Sequence, residues 1–279
     1  MTRQRPRILL TNDDGIDSVG LHLLARAMCE HGDVVVVAPD REFSGAGAAV
    51  GALHLIQPEV HRVSLEGVDE AWTVSGPPAL CVMFARLGAF GEPFDLVVSG
   101  VNPGANVGRA VYHSGTVGAA LTARNGNISG VAISQAVTGF GVEGQGWDEM
   151  LVGQKWETAV EVARVFVGAL LANLPAEPVV ANINVPNIAV DEIKGWSHAR
   201  VGHEPGRKMA AATLVPIEGR EDVFSVRMEW GDPIALPADT DGGMVENDEV
   251  ALTYLSRLSA DDRTDLTAAE DALTELLAH

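Results

Sequence analysis

Short aliphatic runs punctuate the first two thirds of this chain, and they limit its fold more than any other feature. Arg7-Ile8-Leu9-Leu10-Thr11 and residues 33–38, 94–99, 130–134 and 179–185 are apolar along most of their length. An apolar run without alternation is the pattern of a strand covered on both faces, as in a parallel sheet. Residues 19–29, 78–87, 114–123 and 154–173 lie between or beside these runs and carry apolar side chains at helical spacing. Proline stands in the first turn of the second of these helices, where it is tolerated. Residues 60–65 and 71–75 read as shorter, half-exposed strands. Alternation of this kind builds βαβ units, so the expected class is α/β with a mainly parallel sheet.

Beyond Pro186 the pattern changes. Residues 196–201 and 223–230 read as extended arms around a Gly- and charge-rich bend, 250–255 as a late strand and 266–277 as a terminal helix. Residues 139–146 form a Gly-rich break. The chain is read as a single domain over 1–279, with a core to residue 186 and an arm and tail region over 187–279.

Composition narrows the function. The formal charge is −19, and polymeric nucleic acid binds largely through Lys and Arg that neutralise phosphates, so a nucleic-acid polymer is not expected as a partner. An anionic membrane surface is disfavoured for the same reason. No stretch approaches the roughly 18 apolar residues of a membrane span, and the apolar run after the basic N-terminus is too short for a signal peptide. Cys29 and Cys81, the two cysteines, lie in apolar helical stretches and read as thiols in a reducing compartment, which makes a cytoplasmic location the expectation.

The polar loops at strand ends are where chemistry is expected. Asn12-Asp13-Asp14-Gly15 follows the first run directly, residues 40–51 follow the second, and Asn102-Pro103-Gly104-Ala105-Asn106-Val107-Gly108 follows the third. Ligands of open α/β sheets bind at the carboxyl ends of strands. Two adjacent carboxylates there repel one another unless a cation or a shared proton compensates them. If the strands are neighbours, Asp13, Asp14, Ser44 and Asn102 offer oxygen ligands only, a set suited to Mg²⁺, Mn²⁺ or Ca²⁺. Each also has a plainer reading as a turn or capping residue. Ser114-Gly115-Thr116 at a helix start is either an N-cap or a phosphate cradle. His113 beside it reads as an exposed or packing histidine. The glycines from Gly45 to Gly51 have the wrong spacing for a dinucleotide fingerprint.

Taken in order, these segments resemble the survival protein SurE family of metal-dependent nucleotidases. The resemblance is carried by Ile8-Leu-Leu-Thr-Asn-Asp-Asp-Gly15, Val37-Ala-Pro-Asp-Arg41 with Ser44-Gly-Ala-Gly47, Asp95-Leu-Val-Val-Ser-Gly-Val-Asn102 with Gly104-Ala-Asn-Val-Gly108, and Ser114-Gly-Thr-Val-Gly-Ala-Ala120. Ile183-Asn-Val-Pro186, Thr240-Asp241 and residues 250–258 continue it. The resemblance implies a Rossmann-like three-layer fold and hydrolysis of nucleoside monophosphates, 5′ and in some cases 3′, with one divalent cation per subunit. Positions matching Asp13, Asp14, Ser44 and Asn102 bind the metal in that family. It also implies a homodimer or homotetramer exchanging C-terminal segments. Phe43, Pro77, Leu80 and Thr122 depart from the family pattern.

On this reading Asp13 or Asp14 takes a proton from the attacking water, and Asn12, Gly45, Asn106, Ser114, Gly115 and Thr116 hold the phosphate. Arg109 either adds charge or is an exposed arginine without a role. Two alternatives stay open: a phosphatase of another small phosphate ester or polyphosphate, and a non-catalytic nucleotide-binding protein on the same fold.

Overall fold

Each aliphatic run becomes a strand of one sheet, because helices take both of its faces out of water. The protein is described by a computed structural model over residues 5–55, 57–138, 150–204, 207–261 and 264–278. In chain order the first elements are β1 (Arg7–Thr11), α1 (Val19–Met28), β2 (Asp33–Pro39), β3 (Val60–Leu65), β4 (Val68–Val74) and α2 (Pro78–Arg86). β5 (Leu96–Pro103), α3 (Gly115–Asn125), β6 (Ser129–Gln135), α4 (Trp156–Ala172) and β7 (Val180–Val185) follow. The C-terminal third adds β8 (Gly195–His198), β9 (Arg207–Pro216), β10 (Phe224–Pro233), α5 (Asp241–Glu246), β11 (Glu249–Tyr254) and α6 (Thr267–Leu277).

The main sheet has the order β3-β4-β2-β1-β5-β6-β7-β11-β8. From β4 across to β7 every neighbouring pair is parallel. β3 runs against β4, and β11 against β7. Side chains alternate between the two faces. Ile8, Leu10, Val36, Val98 and Ile133 pack with Leu21, Leu24 and Met28 of α1 and Ala159, Ala163 and Val167 of α4. Leu9, Val35, Val37 and Val97 face the other way, onto Leu80, Cys81 and Val82 of α2 and Ala119 and Ala123 of α3. The result is the three-layer α/β arrangement expected. Each fully buried Leu, Ile or Val contributes about 1.5–3 kcal/mol of transfer free energy.

The C-terminal third corrects the sequence reading. Residues 196–201 are not an arm: β8 joins the main sheet, parallel to β11. The supposed bend contains β9, which pairs antiparallel with β10 as a two-stranded hairpin. Residues 211–214 of β9 and 224–229 of β10 are exposed, so no buried face imposed an alternating pattern that could be read. α5 was also not foreseen, since Gly242 and Gly243 within it are poor helix formers. The terminal helix α6 is present and has no buried residue. The Gly-rich break at 139–146 lies outside the described residues. Cys81 is buried and Cys29 partly so, both as free thiols. Among the described residues, no helix is long and apolar enough to cross a membrane.

Candidate active site

β1 stands where the order of connection reverses, with β2 and β4 on one side and β5, β6 and β7 on the other. A crevice opens at the carboxyl ends of strands at such a point, because successive connections leave to opposite faces of the sheet. The loops after β1, β2 and β5 meet there. Phe43 N donates to the Asp13 carbonyl at 2.7 Å, and Ile16 N donates to the Pro39 carbonyl at 2.9 Å. Gly47 N donates to the His113 carbonyl at 2.9 Å, bringing the second loop against the entry of α3. A Cβ on Gly118 would run into the Gly47 carbonyl, so only glycine permits this approach.

Asp13 is 3% exposed and each of its carboxylate oxygens accepts a hydrogen bond. Thr116 Oγ1 donates to Oδ1 at 2.6 Å and Gly115 N donates to Oδ2 at 3.1 Å. The first turn of α3 therefore meets Asp13 with helix-end donors, where negative charge is favoured. A Cβ on Gly115 would stand 2.7 Å from that of Asp13, so the contact requires glycine. Burial still pushes the Asp13 carboxyl upward, against the lowering effect of these bonds. Asp14 is less well met. Its Oδ2 is buried without a hydrogen-bond partner among the described residues. Burial, then repulsion from Asp13 and Glu42, pushes its carboxyl up to about 8.

The remaining expected residues divide. Ser44 is exposed and its hydroxyl donates to Glu42 Oε1 at 2.8 Å. Asn102 is half-buried, and its Nδ2 donates to the Gly104 carbonyl at 2.5 Å. Gly45 is exposed in the second loop. Asn12 is buried and spends its Nδ2 on the Gly15 carbonyl at 2.9 Å, closing the turn after β1. Ser114 caps α3, its Oγ accepting from Val117 N at 3.0 Å. Gly115 and Thr116, expected to hold a phosphate, are the two residues that meet Asp13. Asn106 is buried, and its Nδ2 donates to Ser134 Oγ at 2.9 Å. Arg109 is exposed and donates to the His203 carbonyl at 2.7 Å.

Sequence reasoning missed the residues that hold the third loop. Asn184 Oδ1 accepts from Asn106 N at 2.7 Å, while Asn182 Nδ2 and Asn184 Nδ2 donate to the Asn106 carbonyl at 2.9 and 3.2 Å. Both asparagines are fully buried in β7. Polar residues at alternate positions of an otherwise apolar strand were the available signal. Asp241, also fully buried, accepts from Gly108 N at 2.9 Å.

Among the described residues, no group of three or more His, Cys, Asp and Glu side chains is arranged to hold a metal ion. The Asp13–Asp14 pair supplies two carboxylates, fewer than such a group requires. Fold and site together define a doubly wound α/β protein whose switch-point crevice is built around an aspartate pair. The chain belongs to the family described as Survival protein SurE, whose sequence profile matches residues 8–208. It is 38% identical over 251 residues to the 5′-nucleotidase SurE of Mannheimia succiniciproducens, covering 88% of this chain and 90% of that protein. It is 34% identical over 238 residues to the 5′-nucleotidase SurE of Legionella pneumophila, covering 85% and 84%. The crystal structure of the SurE protein from Aquifex aeolicus superposes with a TM-score of 0.72 at 29% identity, covering 97% of this chain and 99% of that one.

Proposed function

We propose that this protein is a 5′-nucleotidase that hydrolyses nucleoside monophosphates to nucleoside and phosphate with the help of one divalent cation. The observation that carries the metal reading is the Asp13–Asp14 pair at the switch point, with Asp14 Oδ2 buried and unpartnered. A buried carboxylate oxygen without a donor is costly, and a hard cation relieves that cost. Relatives named 5′-nucleotidase SurE, matching most of the chain, support the substrate class.

Asp13, Asp14, Ser44 and Asn102 are the residues that would hold the cation, as an oxygen-only set suited to Mg²⁺ or Mn²⁺, with Ca²⁺ a possible occupant in a crystal. When bound, such a cation offsets phosphoryl charge and makes a coordinated water more acidic. Within the protein, Thr116 and Gly115 fix the orientation of Asp13. Asp13 or Asp14 accepts the proton of the attacking water, through a carboxylate oxygen that the cation leaves free. The Ser114 hydroxyl, the backbone at Gly45 and the Asn106 loop line the phosphate side. Monoester hydrolysis is very slow without catalysis, so charge stabilisation and positioning by these groups supply most of the acceleration.

A charge of −19 suits a small substrate and not a nucleic-acid polymer. We further read residues 1–279 as one folded unit located in the cytoplasm. It assembles as a homodimer or homotetramer through its exposed hairpin and tail. The deciding experiment is phosphate release from a panel of nucleoside 5′- and 3′-monophosphates, sugar phosphates and polyphosphate under Mg²⁺, Mn²⁺ and EDTA. Cation-dependent turnover of 5′-monophosphates above the other esters is the expected result. Equal rates in EDTA, or no turnover of any nucleotide, would overturn the reading.

A further inference from the structure

Asp241 opens α5 with its carboxylate fully buried, accepting main-chain N–H groups from three stretches of chain. Oδ2 accepts from Gly108 at 2.9 Å, and Oδ1 accepts from Gly202 and from Gly242, both at 2.9 Å. A carboxylate without water is tolerated only where donors meet its oxygens, and such charge-assisted bonds are among the stronger ones in proteins. The three donors make this an anchoring point, not a surface contact.

What is anchored bears on the chemistry. Gly108 ends the loop that carries Asn106 after β5, and it begins the 3₁₀ turn Gly108–Tyr112 that delivers the chain to Ser114 and α3. α3 in turn supplies both donors to Asp13. Gly202 lies just before the β9–β10 hairpin, and α5 just after it. Bonds around the same junction brace it: Asp241 N donates to the Arg200 carbonyl at 3.0 Å, and Arg109 Nε to the His203 carbonyl at 2.7 Å. The buried asparagines of β7 hold Asn106 from the sheet side, and Asp241 holds the far end of the same loop from the C-terminal segment.

We propose that Asp241 is a positioning residue of the nucleotidase site, fastening Gly108 so that the Asn106 loop stands in register with Asp13 and Asp14. The proposal rests on the nucleotidase reading above. Asp241 lies outside the set proposed to hold the cation, so its loss affects the phosphate side more than cation binding.

The test uses the full-length protein and its Asp241→Asn variant, which keeps the shape but replaces one acceptor oxygen by a donor. Thermal melting and circular dichroism report the fold. Calorimetry with Mn²⁺ alone reports cation affinity, and steady-state kinetics on a nucleoside 5′-monophosphate report KM and kcat. We expect a folded variant with KM raised about tenfold or more, since small displacements of positioning groups are costly. Mn²⁺ affinity should stay within about threefold, because Asn102 is held by the pairing of β5 with β6 and Asp13 and Asp14 by the end of β1, none of which Asp241 contacts. Asp239→Asn breaks the neighbouring exposed pair with Arg200 and should leave KM within about twofold. An unchanged KM in folded Asp241→Asn, even with a lower melting temperature, overturns the positioning role. A loss of Mn²⁺ affinity as large as the rise in KM also overturns it. If Asp241→Asn does not fold, Asp241→Glu keeps the anionic acceptor on a longer stem and should fold with raised KM. Failure of both to fold would mark Asp241 as purely structural and sink the proposal. Absence of nucleotidase activity in the unaltered protein would instead reject the functional reading itself.

Discussion

Asp13 and Asp14 are adjacent in sequence but occupy different environments. Asp13 is oriented by α3, whereas Asp14 has a buried oxygen with no donor. Substituting Asp14→Asn should therefore lower cation-dependent turnover at least about a hundredfold while leaving circular dichroism unchanged. It should also stabilise the cation-free protein at pH 8 by on the order of 1 kcal/mol or more, by removing a desolvated charge. Full activity in Asp14→Asn would remove this residue from the site. The pH dependence follows with a definite sign. A carboxyl raised from 3.8 to about 8 in the folded state contributes stability that is complete below its unfolded pKa and lost as pH rises through the folded one. Melting temperature in EDTA should fall from pH 4 to pH 8, more steeply than in Asp14→Asn. Stabilisation by Mg²⁺ should widen over the same window. A Mg²⁺ increment independent of pH would contradict the assignment.

At the scale of the element, α3 and β7 bring the loops into a working arrangement. Ser114 caps α3 in the ordinary way, so its capping reading holds, while the next two residues turn their donors on Asp13. Thr116→Val keeps volume but removes the O–H donor to Oδ1. It should cost about 1–2 kcal/mol of stability and lower kcat/KM about tenfold, measured by denaturant melts and initial rates. Unaltered kinetics would show that Asp13 holds its orientation without Thr116. Asn184 in β7 is a second such support. Asn184→Ala strands the buried Asn106 N–H and should destabilise the fold by about 1–3 kcal/mol. A melting temperature equal to that of the unaltered protein would argue that water replaces the lost acceptor.

At the scale of the whole molecule, two elements of the C-terminal third expose runs of apolar side chains. Leu214, Val226 and Met228 of the hairpin are more than half exposed, as are Leu273, Leu276 and Leu277 of α6. Groups of exposed apolar side chains on two projecting elements mark a surface that needs cover. Ending the chain after Leu258 should lower the oligomeric mass in light scattering or leave the protein aggregation-prone. A truncated form that stays soluble at the original oligomeric mass would exclude the tail from assembly.

Much of this molecule was legible before its coordinates. The aliphatic runs became strands and the helical spacings became helices, because both patterns report burial by near neighbours on a regular backbone. The Asp-Asp pair at the end of β1 likewise needed only local sequence, whereas its place at the switch point came from the strand order of the sheet. The exposed β9 left no periodic trace, and β8 was misread as an arm because a short edge strand resembles any extended segment. Partnerships over long separations were not legible either. Gly115 and Thr116 meeting Asp13, Asn184 meeting Asn106, and Asp241 meeting Gly108 each join residues more than 75 positions apart. Local sequence determines which backbone a segment adopts and which face it must bury. Only the packed sheet decides which buried polar group finds which donor, since that choice depends on strand order and close approach in space.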